Sequence, residues 1–305
     1  MPQVTFVLVP QLHLLDLAGP AQAFWTAADL GYGYELTYVG EAPTVPTAQG
    51  VPVTASTTWP SLTNDDLVIV PGWRATQRPR PTVSEVSLRR LAEHHAGGGT
   101  VASVCAGAFA LGSAGLLDGR RCTTHHDLQE QLATLYPRAI VQRDVLYTTD
   151  ERVVTSAGIA SGIDLALHLI AVRDGVAAAA RVAREMVVYA RRNGDEPQAS
   201  AMLRHRSHLS ETVHHVQDLI DARFTDSLRL ADLAGAVQIS ERTLTRMFAT
   251  ATGLTPLRYQ QELRVERAEH LIGHGSTVEA AARAVGFSDA RMLRRLRSRA
   301  ETRSR

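Results

Sequence analysis

The first two thirds of the chain alternate short apolar runs with longer stretches of helical periodicity. Residues 4–9, 34–39, 66–70, 100–104 and 153–156 read as strands, the third ending at Pro71-Gly72. Residues 19–30, 84–95, 106–114, 163–173 and 176–189 read as helices, and Gly97-Gly98-Gly99 breaks the chain before the fourth strand. Strands that are apolar throughout, instead of alternating, are buried on both faces, and helices between them supply the crossovers of a parallel sheet. The pattern predicts an α/β domain with helices on both sides of that sheet.

Near Arg191 the texture changes. Arg191-Arg192-Asn193-Gly194-Asp195-Glu196-Pro197 is polar and rich in breakers, and beyond Leu209 only short helical patterns with polar turns remain. The expected organisation is a domain over 1–191, a linker over 192–212 and an all-α domain over 213–305. A length of 305 residues agrees with two cores.

Composition narrows the class. Hydrophobic residues make up 45% and charged residues 21%, as in globular proteins. No uncharged apolar stretch is long enough to span a membrane, and the first residues lack the basic start of a signal peptide. Cys105 and Cys122 are too few for a disulfide framework, so a cytoplasmic setting is expected. Every basic side chain except histidine is arginine. Residues 1–195 hold 15 arginines against 18 acids, whereas residues 196–305 hold 17 against 13, so the modest excess of positive charge lies at the C-terminal end.

That end carries a reading motif. Residues 228–237 place apolar side chains on one helical face, Gln238-Ile239 makes a tight turn, and Ser240 is a good N-cap ahead of a second helix that ends before Gly253. Two short helices joined so tightly form a helix-turn-helix, whose second helix enters the major groove. With Leu244, Met247 and Phe248 inward, Arg242, Thr243, Thr245 and Arg246 face outward. Arginines one turn apart suit guanine edges or phosphates. A long amphipathic helix follows over 256–272, and the motif recurs with helices over 277–284 and 289–299.

The runs Ser-Glu-Arg-Thr-Leu-Thr-Arg-Met-Phe at 240–248, Thr-Gly-Leu-Thr-Pro at 252–256, Leu-Arg-Val-Glu-Arg-Ala-Glu-His-Leu-Ile at 263–272 and Val-Gly-Phe-Ser-Asp at 285–289 resemble the AraC/XylS family over about 213–296. The resemblance implies two helix-turn-helix units, bridged by the long helix, on successive major-groove segments of double-stranded promoter DNA. By position it makes Arg242, Thr245 and Arg246 readers in the first unit and Ala290, Arg291, Arg294 and Arg295 their counterparts in the second. Arg297 stands where the family has a phenylalanine, and the customary Gly-x-x-Pro-x-x-Tyr ending is absent. A second unit that contacts phosphates more than bases is therefore expected.

In the first domain, Val-Ala-Ser-Val-Cys-Ala-Gly-Ala at 101–108 is a strand, a cysteine and small residues opening a helix. A nucleophile elbow needs such small neighbours because the turn is tight, and a helix N-terminus favours a thiolate. With Leu-Asp-Leu-Ala-Gly-Pro at 15–20, Ile-Val-Pro-Gly at 69–72, Arg-Cys-Thr-Thr-His-His at 121–126 and Thr-Ser-Ala-Gly-Ile-Ala-Ser-Gly at 155–162, it resembles the ThiJ/PfpI branch of the class I glutamine amidotransferase-like superfamily. That implies a flavodoxin-like domain with Cys105 at the elbow, Asp16 as its acidic partner, a nest from the N–H groups of Gly72 and Ala106, and His125 or His126 lining the cavity.

Hydrolases of that superfamily carry histidine after the cysteine, where Ala106 stands here. The expectation is a cytoplasmic, homodimeric transcription regulator whose first domain dimerises it or senses a small molecule or redox change, with RNA polymerase as a further partner and without cofactor or metal. The paired histidines have no third ligand at helical spacing. The rival expectation is an isonitrile-hydratase-like or amidase-like enzyme using Cys105 and Asp16.

Overall fold

A computed structural model describes residues 1–75, 83–188, 192, 194, 195, 198, 205, 206, 208–273 and 275–303. The chain divides into two compact units, Met1–Gln198 and Ala199–Arg305. Among the described residues the strands are β1 (Gln3–Leu8), β2 (Glu35–Gly40), β3 (Thr44–Val45), β4 (Val53–Thr54), β5 (Leu67–Val70), β6 (Thr100–Val104), β7 (Arg121–Cys122), β8 (Ile140–Val141), β9 (Tyr147–Asp150) and β10 (Val153–Ser156). Six form one sheet in the order β2-β1-β5-β6-β10-β9. The first five run parallel with the doubly wound order of flavodoxin-like folds. The edge strand β9 is antiparallel to β10, so the sheet is mixed where an all-parallel one was expected. Residues 147–150 are mostly polar because an edge strand needs little burial, and they gave no apolar run to read.

The helices of the first unit are α1 (Leu14–Ala27), α2 (Glu85–Ala96), α3 (Gly107–Ser113), α4 (Gln129–Leu135), α5 (Ser161–Asp174) and α6 (Val176–Glu185). α1, α5 and α6 pack together, as do α2 and α3, and the sheet lies between. Ser84 caps α2 by accepting from Ser87 N. α1 begins five residues before the expected start at 19. Gly19-Pro20 reads as a helix opening, yet Pro20 lies inside α1, and close packing of Gly19 on Ile163 and of Gly162 beside Pro20 holds it there. α6 ends at Glu185, followed by Val187 with positive φ, and the expected end at 189 lies outside the described residues.

The second unit holds α7 (Glu211–Ala222), α8 (Leu230–Ala236), α9 (Glu241–Thr252), α10 (Pro256–Gly273), α11 (Val278–Ala284) and α12 (Ala290–Arg303). It has two separate apolar cores. Val213, Val216, Ile220, Leu233, Leu244, Phe248 and Tyr259 form one. Ala268, Ala281, Val285, Phe287, Leu293 and Leu296 form the other. Within the stretch read as a linker, Arg192 binds Asp164 and Gln198 binds the carbonyls of Thr124 and Val145 in the first unit. His205 binds Thr252 and Glu262, and Arg206 binds Asp218 and Asp221, in the second. No helix among the described residues is long and apolar enough to cross a membrane.

Candidate functional site

Asp16, Gly72, Cys105 and Gly158 follow the C-terminal ends of β1, β5, β6 and β10, where doubly wound sheets place their ligand sites. Cys105 leaves β6 with a φ of 53°, the strained left-handed geometry of an elbow, and its N–H donates to Ser156 O at 2.9 Å. The tight fit explains the glycines around it. A Cβ on Gly72 would lie 2.4 Å from Asp16 Oδ2 and 2.7 Å from Cys105 Cβ, and one on Gly107 would meet Val70 O at 2.0 Å.

Asp16 is fully buried, and its Oδ1 accepts from Ile159 N at 2.6 Å. Oδ2 lies beside the Cys105 thiol and the Gly72 N–H without closing a full hydrogen bond to either. Burial drives the carboxyl above its ordinary value, against the Ile159 N–H and the charge of His13. Burial, and then the charge of Asp16, drives the Cys105 thiol far above its ordinary range, while the Ala106 N–H facing the sulfur works the other way. The two predicted nest donors thus serve different groups: Ala106 faces Cys105 and Gly72 faces Asp16. The arrangement holds a protonated thiol, which lines a pocket as a weak donor and does not attack.

Thr124 Oγ1 donates to Cys105 O at 2.7 Å, which ties the histidine segment to the elbow. His125 is half-buried and held below its usual value by burial and then by His126, whose ring centroid is 4.1 Å away. Asp127 pairs with both rings, at 3.7 and 3.4 Å, and the three side chains bring ligand-type atoms within 4.8 Å of one another. His126 and Asp127 are exposed, and these contacts have the form of surface ion pairs. His13, which the sequence reading passed over, acts electrostatically on both Asp16 and His125 and so belongs to this mouth. Nothing but its place after Leu12 marked it in the sequence.

Both thiols are expected to ignore a disulfide reagent in the native protein between pH 7 and pH 9. The thiolate forms only above that range, since Cys105 is raised and Cys122 is pushed up to about 12 by burial and then by Asp150. Both should react once the chain is unfolded in guanidinium. Fast release by Cys105 in the native state at pH 8 would show an activated nucleophile instead.

In the second unit Ser240 Oγ accepts from Thr243 N at 3.2 Å and starts α9, and Gly253 ends it with a φ of 75°. Leu244 and Phe248 are fully buried, which turns Arg242 and Arg246 outward, where both are exposed and without a partner among the described residues. The threonines differ: the Thr243 hydroxyl meets Ser240 Oγ at 2.8 Å, and the Thr245 hydroxyl donates to Glu241 O at 2.9 Å. Both hydroxyls are engaged by their own helix.

The second reader is arranged otherwise. Ala290, expected on the outward face, packs against the apolar core beside Phe287 and Leu293, because Asp289 caps α12 through Arg291 N and sets the helix phase. Arg294 pairs closely with Glu279, Arg291 Nε lies 3.7 Å from Asp289, and Arg295 reaches Met292 Sδ. Arg297 is half-buried with Nε 3.5 Å from Glu269 on α10, so an ion pair buttresses α12 where the resemblance places an aromatic anchor.

Residues 2–172 match the DJ-1/PfpI family, and residues 233–302 match a helix-turn-helix domain. The chain therefore belongs to the DJ-1/PfpI family and carries an AraC-type helix-turn-helix at its C-terminus, which makes it a DNA-binding transcriptional regulator. It is 28% identical over 274 residues to the HTH-type transcriptional regulator GbdR of Pseudomonas aeruginosa, covering 88% of this chain and 73% of that one. It is 33% identical over 168 residues to the isonitrile hydratase of Pseudomonas putida, covering 55% of this chain and 70% of the hydratase. The fold is like that of an AraC family transcriptional regulator from Pseudomonas putida, with a TM-score of 0.53 at 22% identity over 61% of this chain and the whole of that one.

Proposed function

We propose that the regulator reads base edges with Arg242 and Arg246 of α9 and holds phosphates with Arg291, Arg294 and Arg295 of α12. The observation that carries this is the pair of unpartnered, exposed arginines on a well-capped helix, set against a second helix whose Arg291 and Arg294 are paired to acids. Specific contact needs free donors on a rigid element, whereas an arginine that must first leave an acid gains less from a base and more from the field of the backbone. Two copies are held together by the DJ-1/PfpI unit. The exposed stripe of α1, with Leu15 and Trp25, the latter 56% exposed, supports that role. A small uncharged effector in the Cys105 pocket fits a thiol and a carboxyl that are both driven toward their protonated forms. The same protonation argues against a hydratase-like attack by Cys105.

The test is retention of promoter DNA from the protein's own genomic neighbourhood against excess bulk DNA across a salt series. One fragment should survive competition, with affinity falling by roughly 10³–10⁵ between 50 and 200 mM salt if about six to ten phosphates are contacted. Uniform weak binding of every fragment would overturn sequence-specific reading.

A further inference from the structure

The two cores of the second unit share little apolar contact, yet two recognition helices can engage one duplex only if their separation and phase are held. Phe224 is the half-buried hydrophobic residue that touches both cores. Between them, α10 presents Arg264, one position beyond Leu263 of the first core and four before Ala268 of the second. Its guanidinium donates to four backbone carbonyls: Phe224 O at 2.6 Å, Asp226 O at 2.6 Å, Thr225 O at 3.1 Å and Gly286 O at 2.8 Å. The first three belong to the loop between α7 and α8, and the fourth belongs to the turn of the second helix-turn-helix. The same group lies over the Phe287 ring at 5.5 Å.

The two loops touch at this point. Gly286 has a φ of 84°, and a Cβ there would fall 1.9 Å from Thr225 O. Gln260, one turn earlier on α10, donates to Phe224 O and Asp226 O at 2.9 and 2.8 Å and so anchors the first loop alone. Arg264 is the group that reaches across. A planar fork with five donors can satisfy acceptors on two sides at once, which a lysine cannot copy.

We infer that Arg264 is a positioning residue that fixes the phase between the two DNA-reading units by stapling the loop at 224–226 to the turn at Gly286. The inference rests on the DNA-reading role proposed above. It is tested by a readout that does not need DNA.

Nitroxides on Thr250→Cys and Ala284→Cys, both at exposed helical positions, report the distance between the units. The native cysteines are buried and stay unlabelled, and dilution with unlabelled protein silences any partner copy. The wild-type background should give one narrow distribution. Arg264→Ala should broaden it roughly twofold or shift it, with Arg264→Lys in between. Gly286→Ala keeps the arginine but forces the loops apart, and it should broaden the distribution too. Either variant that keeps its helical circular dichroism and a wild-type distribution overturns the staple. Should Arg264→Ala fail to fold, Gly286→Ala and Arg264→Lys decide. Loss of DNA reading would appear separately, as wild-type protein that retains no duplex against competitor whatever the distances are.

Discussion

Replacing Arg242 and Arg246 together by alanine is expected to lower affinity for the preferred duplex by about 2–6 kcal/mol, on the order of 30- to 10,000-fold, while binding to bulk DNA changes little. Each paired-donor contact to a guanine contributes roughly 1–3 kcal/mol of discrimination. Neither arginine has an internal partner, so the substitutions break nothing in the free protein, and both positions are exposed on a helix whose cap and buried face remain. Fluorescence anisotropy against the preferred and a scrambled duplex, each over a salt series, separates base from phosphate contact. A base reader loses preference with its salt slope kept. A phosphate contact loses affinity on both duplexes alike, and the slope falls by about 0.9 for each arginine removed. That second outcome would end the base-reading assignment. Arg294→Ala should behave in this second way, and more weakly, because the wild-type side chain must first leave Glu279.

Much of this was legible in the chain. Apolar runs located β1, β2, β5, β6 and β10, since strands buried on both faces need no polar alternation. Ser240, Leu244, Phe248 and Gly253 marked the cap, the buried face and the end of α9, because each acts through local geometry. Cys105 was marked by its small neighbours, which the positive φ and the close approach of Gly107 to Val70 demand. What escaped was of two kinds. Polar edges such as β9 and the early turn of α1 before Pro20 depend on tertiary neighbours, not on pattern. The other kind is pairing across distance. Glu279 and Arg294, or Glu269 and Arg297, are charged residues among many until the fold joins them. Arg264 was read only as part of a bridging helix, since its partners are backbone carbonyls, which leave no trace in residue identity.

The first unit should prove least tolerant at Gly158. A Cβ there would lie 2.2 Å from Cys105 Cβ, 2.8 Å from its Cα and 3.0 Å from its N, and the residue has a φ of 101°. The loop has nowhere to retreat: Gly158 N donates to Ser161 Oγ at 2.7 Å, Ser161 Oγ returns a bond to Gly158 O at 3.0 Å, and Ile159 N is held by Asp16. Overpacking of a tight site costs roughly 1–3 kcal/mol, and a side chain at positive φ adds about 1–2, so Gly158→Ala is expected to destabilise by about 2–5 kcal/mol. Gly115, with a φ of 74° and nothing within 4 Å of its notional Cβ, isolates the backbone part, and Gly115→Ala should cost about 1–2. Urea midpoints at constant m measure both. Cys105→Gly removes the atom that clashes, so the double variant Cys105→Gly, Gly158→Ala should be more stable than the sum of the single losses predicts. Strict additivity, or a Gly158→Ala loss no larger than that of Gly115→Ala, would mean that the loop yields. The thiol would then not be held against Asp16 by packing, and the case for an effector pocket of fixed shape at Cys105 would lose its structural ground.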